Sequence, residues 1–290
     1  GASITLDFAE RSADAKGEML VAGIPTRLAW QKTFEQDASP PAQLKLTARL
    51  DNSDRSQLGL DVNHILQGEI PVEVTVTPSP RGEPQVMVHA DLTNADLALD
   101  NIAWRKPPGA HADLQFEIIR SKGRTELSDF RLRGDNIAAD GQIVIGPDNR
   151  LREFSFPSFT LNLVSQLEMK GVVRPDNVLD VKVRSRHFDG RDFFRGLFSV
   201  GHVGEKPAPP QKARAGLDLS AEIETLAGYS DVALRGLRLK VSKRADRLVA
   251  VDARGTLDGG NPLVVSLVHA PSGPRRLRAD STDAGQAMRL

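Results

Sequence analysis

The stretch IPVEVTVTPSPRGEPQVMVHADL, residues 70–92, decides the fold. Ile70, Val72, Val74 and Val76 alternate with Pro, Glu and Thr, and Val86, Val88, Ala90 and Leu92 alternate with Met, His and Asp. A period of two is the spacing of a strand with one apolar and one polar face. The turn residues SPRGEP at 79–84 sit between the two runs, so the pair reads as an antiparallel hairpin.

The same pattern spreads outward from this hairpin. Leu44, Leu46, Ala48 and Leu50 precede it. Leu114–Phe116–Ile118, Ile143–Ile145, Leu161–Leu163, Leu167–Met169 and Leu179–Val181–Val183 follow. Later come Leu217–Leu219–Ala221–Ile223, Leu237–Leu239–Val241 and Leu263–Val265–Leu267. Turn signals fall between them at 119–124, 146–150 and 174–177. About 18 to 20 short strands are predicted, joined as an antiparallel meander. Helical spacing is confined to 51–68 and 189–201, capped by Asp51, Ser53 or Asp54 and by Asp189, with a third helix opening in DAGQAMRL at the end. EKPAPPQK, 205–212, reads as a linker because its prolines deny ladder donors.

So many one-faced strands with few helices must bury the apolar face in a sandwich or barrel, or curl it into a groove that something else fills. The expected fold class is all-β, mainly antiparallel with minor α: an elongated curled sheet forming a repeating groove.

Composition narrows the function. The 38 basic and 38 acidic residues cancel, against the basic excess of a nucleic-acid binder. With no cysteine, disulfides, zinc–thiolate sites and thiol catalysis are excluded. No apolar run approaches the ~20 residues of a membrane helix. Aromatics make up only 5%, so the apolar face is mainly aliphatic. The first residues, GASITLDFAE, enter directly in strand alternation, as expected of a piece of a longer chain.

Catalytic signatures are lacking. There is no phosphate loop, nucleophile elbow or HExxH, and His64, His89, His111, His187, His202 and His269 are scattered. His187, Asp189, Arg191 and Asp192 could support base chemistry, but a strand ending at Phe188 before a capped helix explains them more simply. DNSDRS (51–56) and GPDNR (146–150) are turns that do not fit a calcium loop. PRRLR (274–278) reads as one more alternating strand. No enzyme, cofactor or metal is expected.

The order of features carries a resemblance. Trp30 and Phe34 follow a Gly-x-Pro strand at 23–25, and a strand, a short helix with Leu-Gly, and Gly68 come next. Ala90-Asp91-Leu92-Thr93 and Trp104-Arg105-Lys106-Pro107-Pro108-Gly109 follow, then Asp189 to Leu197, and Ala279 to Met288 with Asp283-Ala284-Gly285. This series, covering most of the chain from about residue 15, resembles the AsmA-like proteins of Gram-negative envelopes, the YhdP-like branch in particular, with TamB more distant. The resemblance implies a periplasmic, bridge-like protein whose apolar groove carries phospholipid acyl chains between inner and outer membrane. It implies anchoring to the inner membrane in the full-length protein, membrane contact through parts outside this sequence, and no nucleic-acid partner.

Under this reading 1–203 is a groove segment, 204–212 a linker or loop, and 213–290 a continuing groove leading into a C-terminal AsmA-like region beyond the sequence. Alternation nominates Leu44, Leu46, Val72, Val74, Val86, Val88, Leu161, Leu163, Val181, Val183, Leu219 and Val265 as lipid-lining. Trp104, Lys106, Pro107, Pro108 and Gly109 form a structural motif: the prolines and glycine reverse the chain between strands at 95–103 and 111–119, the indole packs on the groove, and Lys106 is exposed. The alternatives are an envelope scaffold assisting outer-membrane protein assembly through protein partners, and a β-sandwich adhesin or carbohydrate-binding module. One Tyr and two Trp argue against the sandwich.

Overall fold

The computed structural model describes residues 3–34, 42–60, 62–79, 82–99, 104–191, 216–244, 247–268 and 276–289. The elements in the first half are β1 (Ser3–Phe8), β2 (Ser12–Val21), β3 (Ile24–Thr33), β4 (Ala42–Leu50), α1 (Asn52–Gln57), β5 (Leu66–Gln67), β6 (Ile70–Thr77), β7 (Gln85–Asp91), β8 (Asp96–Leu99), β9 (Trp104–Lys106), β10 (Ala112–Ser121), β11 (Arg124–Gly134) and β12 (Ile137–Ile145). The second half adds β13 (Leu151–Leu161), β14 (Ser165–Val173), β15 (Val178–Asp189), β16 (Gly216–Ala227), β17 (Ala233–Arg244), β18 (Arg247–Leu257), a 3-10 turn (Asp258–Gly260), β19 (Pro262–Val268), β20 (Arg276–Ser281) and α2 (Ala284–Ala287). Strand makes up 70% and helix 6%, with seventeen strands hydrogen-bonded in a mainly antiparallel sheet. The expected all-β class holds. The chain divides into two compact units, Gly1–Ala98 with Arg105–Leu151, and Leu99–Trp104 with Arg152–Leu290.

In the first unit β1, β2, β3, β4, β6, β7, β10, β11 and β12 pair antiparallel, each with the next. β5, β8 and β9 form a separate three-stranded sheet. In the second unit β13 to β15 pair antiparallel, as do β16 to β20.

Between β15 and β16 the meander breaks: these strands run parallel, with Val178 opposite Gly216 and Asp189 opposite Ala227. A parallel neighbour cannot be reached by a tight turn and needs a crossover of a dozen or more residues. The intervening chain, 190–215, is long enough for one. The predicted linker at 204–212 lies outside the described residues.

The helix expected over 51–68 is much shorter. Asp51 caps it, its carboxylate accepting from the Ser53 and Asp54 amides while the Asp54 carboxylate accepts from the Asp51 amide. Leu58 ends it, because Gly59 takes the left-handed conformation (φ +77°) that stops a helix at little cost. Of the helix expected at 189–201, Asp189 instead closes β15, and 192–201 lie outside the described residues. The third expected helix is α2, its Gln286 amide donating to the Asp283 carboxylate.

Bulges repair breaks in the alternation. Leu127 and Phe130 are three apart, yet both lie on the apolar face, because β11 holds one residue more than its partners at Ser128–Asp129. In β13 the extra residue falls at Pro157–Ser158, between Phe156 and Phe159. Proline is tolerated inside a sheet at such positions because a bulge leaves a residue unpaired. In β17 the irregularity against β18 falls at Gly236–Leu237.

Candidate functional site

Residues opposite one another in a register share a face, so pairing reads out the apolar surface as rows running across the strands. In the first unit one row is Leu28, Leu46, Val74, Val88 and Phe116; beside it run Trp30, Leu44, Val76 and Val86. On the other side lie Thr26, Ala48, Val72, Ala90, Leu114 and Leu132, and then Leu50 with Ile70. Leu44, Leu46, Val72, Val74, Val86 and Val88 therefore share one face, as alternation required. In the second unit Val181 with Leu219, and Val183 with Ala221, Leu239, Ala253 and Val265, share a face, and Leu161 continues it two residues beyond Phe159.

Leu163 does not belong to this face. It stands in the β13–β14 turn, with φ +61° after Asn162 at +50°, and is 73% exposed. The alternation Leu161–Leu163 ran past the end of β13 into the three-residue connection 162–164, because Leu161 is the last paired residue, opposite Ser165.

Burial falls along the strands. In the first unit Ile24, Leu50, Ile70, Leu92, Ala95 and Ala112 form a buried cluster at one margin. Leu28, Leu46, Val74 and Val76 farther along the same strands are half-buried. The apolar face is thus sealed at one margin; farther along, Val88, Ala13 and Ala15 are buried while Leu28, Leu46, Val74 and Val76 stay partly exposed. Phe116 and Phe130 stack on this face with ring centroids 6.2 Å apart. In the second unit the sealed margin holds Ile223, Leu226, Val232, Leu234, Leu237, Leu257 and Leu263, with Ala287 of α2 packed against it. There Phe154, Phe156 and Phe159 line the face, consecutive centroids 5.7 and 6.1 Å apart. Phe154 lies over Gly171, where a Cβ would come within 2.2 Å of its ring. The glycine is required by that close approach.

Two buried cations hold the seal of the first unit. The Arg55 guanidinium, 1% exposed, donates to the carbonyls of Leu50, Leu66 and Gly68 and to the side-chain oxygens of Asn52 and Asn63. It pins segment 51–68 by its rigid fork. Lys106, 5% exposed rather than solvent-facing, donates from Nζ to the carbonyls of Thr93, Pro107 and Ala110 at 2.9–3.1 Å. Burial pushes both pKa values down, partly offset by Asp51 and Asp54 at Arg55, and by Asp96, Asp135 and Asp91 at Lys106. All three ammonium protons are used, which is why the expected exposure of Lys106 is wrong.

Trp104 is buried in β9, a separate strand, so Pro107-Pro108-Gly109 turns the chain between β9 and β10; residues 100–103 of the expected strand lie outside the described residues. Gly109 closes this turn onto the Thr93 carbonyl. Sequence reasoning found the motif but missed both clasps, because a charged residue between polar neighbours carries no sign of burial.

The opposite face is polar and laced with ion pairs across strands, Arg27–Glu18, Lys45–Glu73 and Arg133–Asp140 in the first unit and Arg184–Glu222 in the second, and His89 Nε2 is hydrogen-bonded to Asp113. Beside the parallel pair, Asp218 accepts two hydrogen bonds from Arg244 and forms a second ion pair with Arg174. Hydrogen bonding from Arg244 pulls its pKa down to about 2. Asp189 of the candidate catalytic cluster is gripped by Arg191 through Nε and Nη2, which lowers its pKa. Among the described residues no three His, Cys, Asp or Glu side chains converge to hold a metal ion. No helix among them is long and apolar enough to cross a membrane.

Compared with known protein families, curated proteins and solved structures, the chain finds no match.

Proposed function

We propose that this chain is a segment of an AsmA-like, bridge-like lipid transfer protein of the periplasm, whose apolar face carries phospholipid acyl chains between inner and outer membrane. The observation that carries the reading is an aliphatic face continuous across successive strands, left half-exposed beyond its sealed margin. Such a surface in water is unfavourable by about 25 cal/mol for each Å² of apolar area, so a ligand that covers it gains that free energy. Aliphatic contact is non-directional and holds a tail without fixing one pose, which suits a conduit more than a specific pocket. The ordered motif series from Ala90 to Met288 supports the family assignment.

Photocrosslinking in cells tests it. A reactive residue at Val74, Val88 or Val183 is expected to capture phospholipid, while Thr75, His89 and Lys182 on the other face are not. Protein adducts at every position, with no lipid, would sink the conduit reading.

A second reading, a scaffold for envelope protein assembly, draws on β1. It pairs only with β2 among the described strands, and Ile4, Leu6 and Phe8 are 51%, 59% and 76% exposed. An edge of this kind can receive a partner strand.

A further inference from the structure

The segment that follows β4 does not stay at the sealed margin of the first unit. Gly59, just past α1, lies against Asn149 in the turn between β12 and β13. A Cβ added to Gly59 would stand 2.7 Å from Asn149 Nδ2 and 4.0 Å from its Cβ. The two residues belong to opposite margins. Leu50 and Ile70, which flank the segment, are paired within the buried cluster. The register carries that margin on to Ala112, Gly134 and Ile137. Strand β12 leaves it at Ile137 and reaches the other margin at Ile145, just before the turn that holds Asn149.

On a flat sheet the turn would lie ~26 Å along the strands and five spacings of ~4.8 Å across them, about 35 Å from the end of β4. The six residues of α1 span only ~9 Å of that gap. Contact therefore requires the sheet of the first unit to curl until its two margins meet, as the twist added at each strand allows. The contact passes over the apolar face. Arg55 ties α1 to the carbonyl of Leu66, and Leu66 packs against the buried cluster on that face. Val88 of β7, between β4 and β12 in strand order, is buried.

The root of the segment is fixed. Arg55 holds it to Leu50 and Gly68, and Gln57 Nε2 donates to the Ala22 carbonyl in the β2–β3 turn. Its tip meets the opposite margin through a glycine, whose missing side chain leaves room for the Asn149 amide.

We infer that residues 51–60 are a latch across the mouth of the apolar face, closed against 146–150, and that acyl lipid enters the first unit sideways when the two part. The inference rests on the acyl-chain reading above and adds control of access to it. A lipid with its tails against the strands keeps its polar headgroup in water at the mouth, because burying it unpaired is costly. The closed latch occupies the mouth between β4 and β12, so a headgroup passes only when the latch opens.

The closed geometry suits a covalent lock. Cβ positions 4.0 Å apart fall within the roughly 3.5–4.5 Å that a disulfide spans, and the chain has no cysteine to compete. Gly59→Cys/Asn149→Cys is expected to oxidise to one intramolecular disulfide. Because Gly59 has φ +77°, which strains any side chain, a second pair reads the distance without that substitution. Nitroxide labels on Leu58→Cys/Arg150→Cys sit one ~3.8 Å step from the contact on each side and should lie within about 25 Å, against about 35 Å or more for parted margins. Thiols that stay free under oxidation, together with the longer label distance, overturn the latch.

Access is read in the same double-cysteine chain carrying a photoreactive phenylalanine at Phe116, on β10 beneath the latch, or at Phe156 in the second unit, mixed with vesicles of tail-labelled phosphatidylglycerol. Oxidation should abolish lipid capture at Phe116 and reduction should restore it, while capture at Phe156 stays the same in both states. Equal capture at Phe116 in the two states overturns the latch as a gate and leaves the acyl-chain reading standing. No capture at either residue in either state overturns the acyl-chain reading and the access role with it.

Discussion

Arg55→Lys separates the charge of the clasp from its geometry. The guanidinium reaches five acceptors at once, three of them main-chain carbonyls of Leu50, Leu66 and Gly68. A lysine ammonium keeps the charge but has three donors from a single point, so at least two acceptors lose their partner. Each buried polar group left unpaired costs about 1–3 kcal/mol, which sets the loss at about 2–5 kcal/mol. The segment 51–69 is held locally, so the loss should appear there first as opening of the loop. At 1.4 kcal/mol per tenfold, hydrogen exchange at the Leu60 and Leu66 amides should quicken by roughly 30- to several-thousand-fold. These amides report the loop because they close onto the Arg55 and Val62 carbonyls. The β10–β11 amides should be unaffected. Exchange of Leu60 and Leu66 in the variant within threefold of wild type would refute the clasp.

Three further outcomes are expected. Lys106→Met removes the ammonium and strands the Thr93, Pro107 and Ala110 carbonyls, so thermal stability should fall by about 2–4 kcal/mol; a loss below about 0.5 kcal/mol would mean that water replaces the lysine. Gly171→Val drives a side chain into the Phe154 ring and should destabilise by about 1–3 kcal/mol, most of it recovered in a Phe154→Ala background; equal losses in both backgrounds would contradict the overlap. Asp218 titrates at about 2, below its ordinary 3.8, so its contribution is complete above roughly pH 4 and drains away as pH falls toward 2. Melting temperatures of wild type and Asp218→Asn should therefore converge on acidification through that window, and parallel curves from pH 5 to pH 2 would remove the carboxylate as a source of acid sensitivity.

The strands and the shared face were legible because alternation is a direct imprint of the pleat. Val72, Val74, Val86 and Val88 need only one register to align, and the hairpin turns fix it. Leu163 was misread because it keeps the spacing of two from Leu161, although Leu161 is the last paired residue of its strand and the turn begins at Asn162. The reach of α1 was overestimated because Leu58, Val62, Ile65 and Leu66 keep helical spacing past Gly59, whose backbone conformation the spacing does not report. The parallel pair was invisible, since a strand carries no mark of its neighbour's direction. Arg55 and Lys106 were missed for a related reason: their partners are main-chain carbonyls, and carbonyls have no letter in a sequence.

The bulges of β11, β13 and β17 bear on how a ladder of this length tolerates change. A pleated strand has a reading frame of two, and a single inserted or deleted residue would turn every later side chain inside out. At Ser128–Asp129, Pro157–Ser158 and Gly236–Leu237 the sheet already accommodates one residue out of frame and restores the phase within a few positions. Those points, together with Val249 of β18, which is likewise out of register, are where length variation of one residue can be absorbed without reversing the face, whereas β4, β6 and β7, paired without a break, have no such slack. Length can drift at the corrected points, and the uninterrupted strands between them keep the phase.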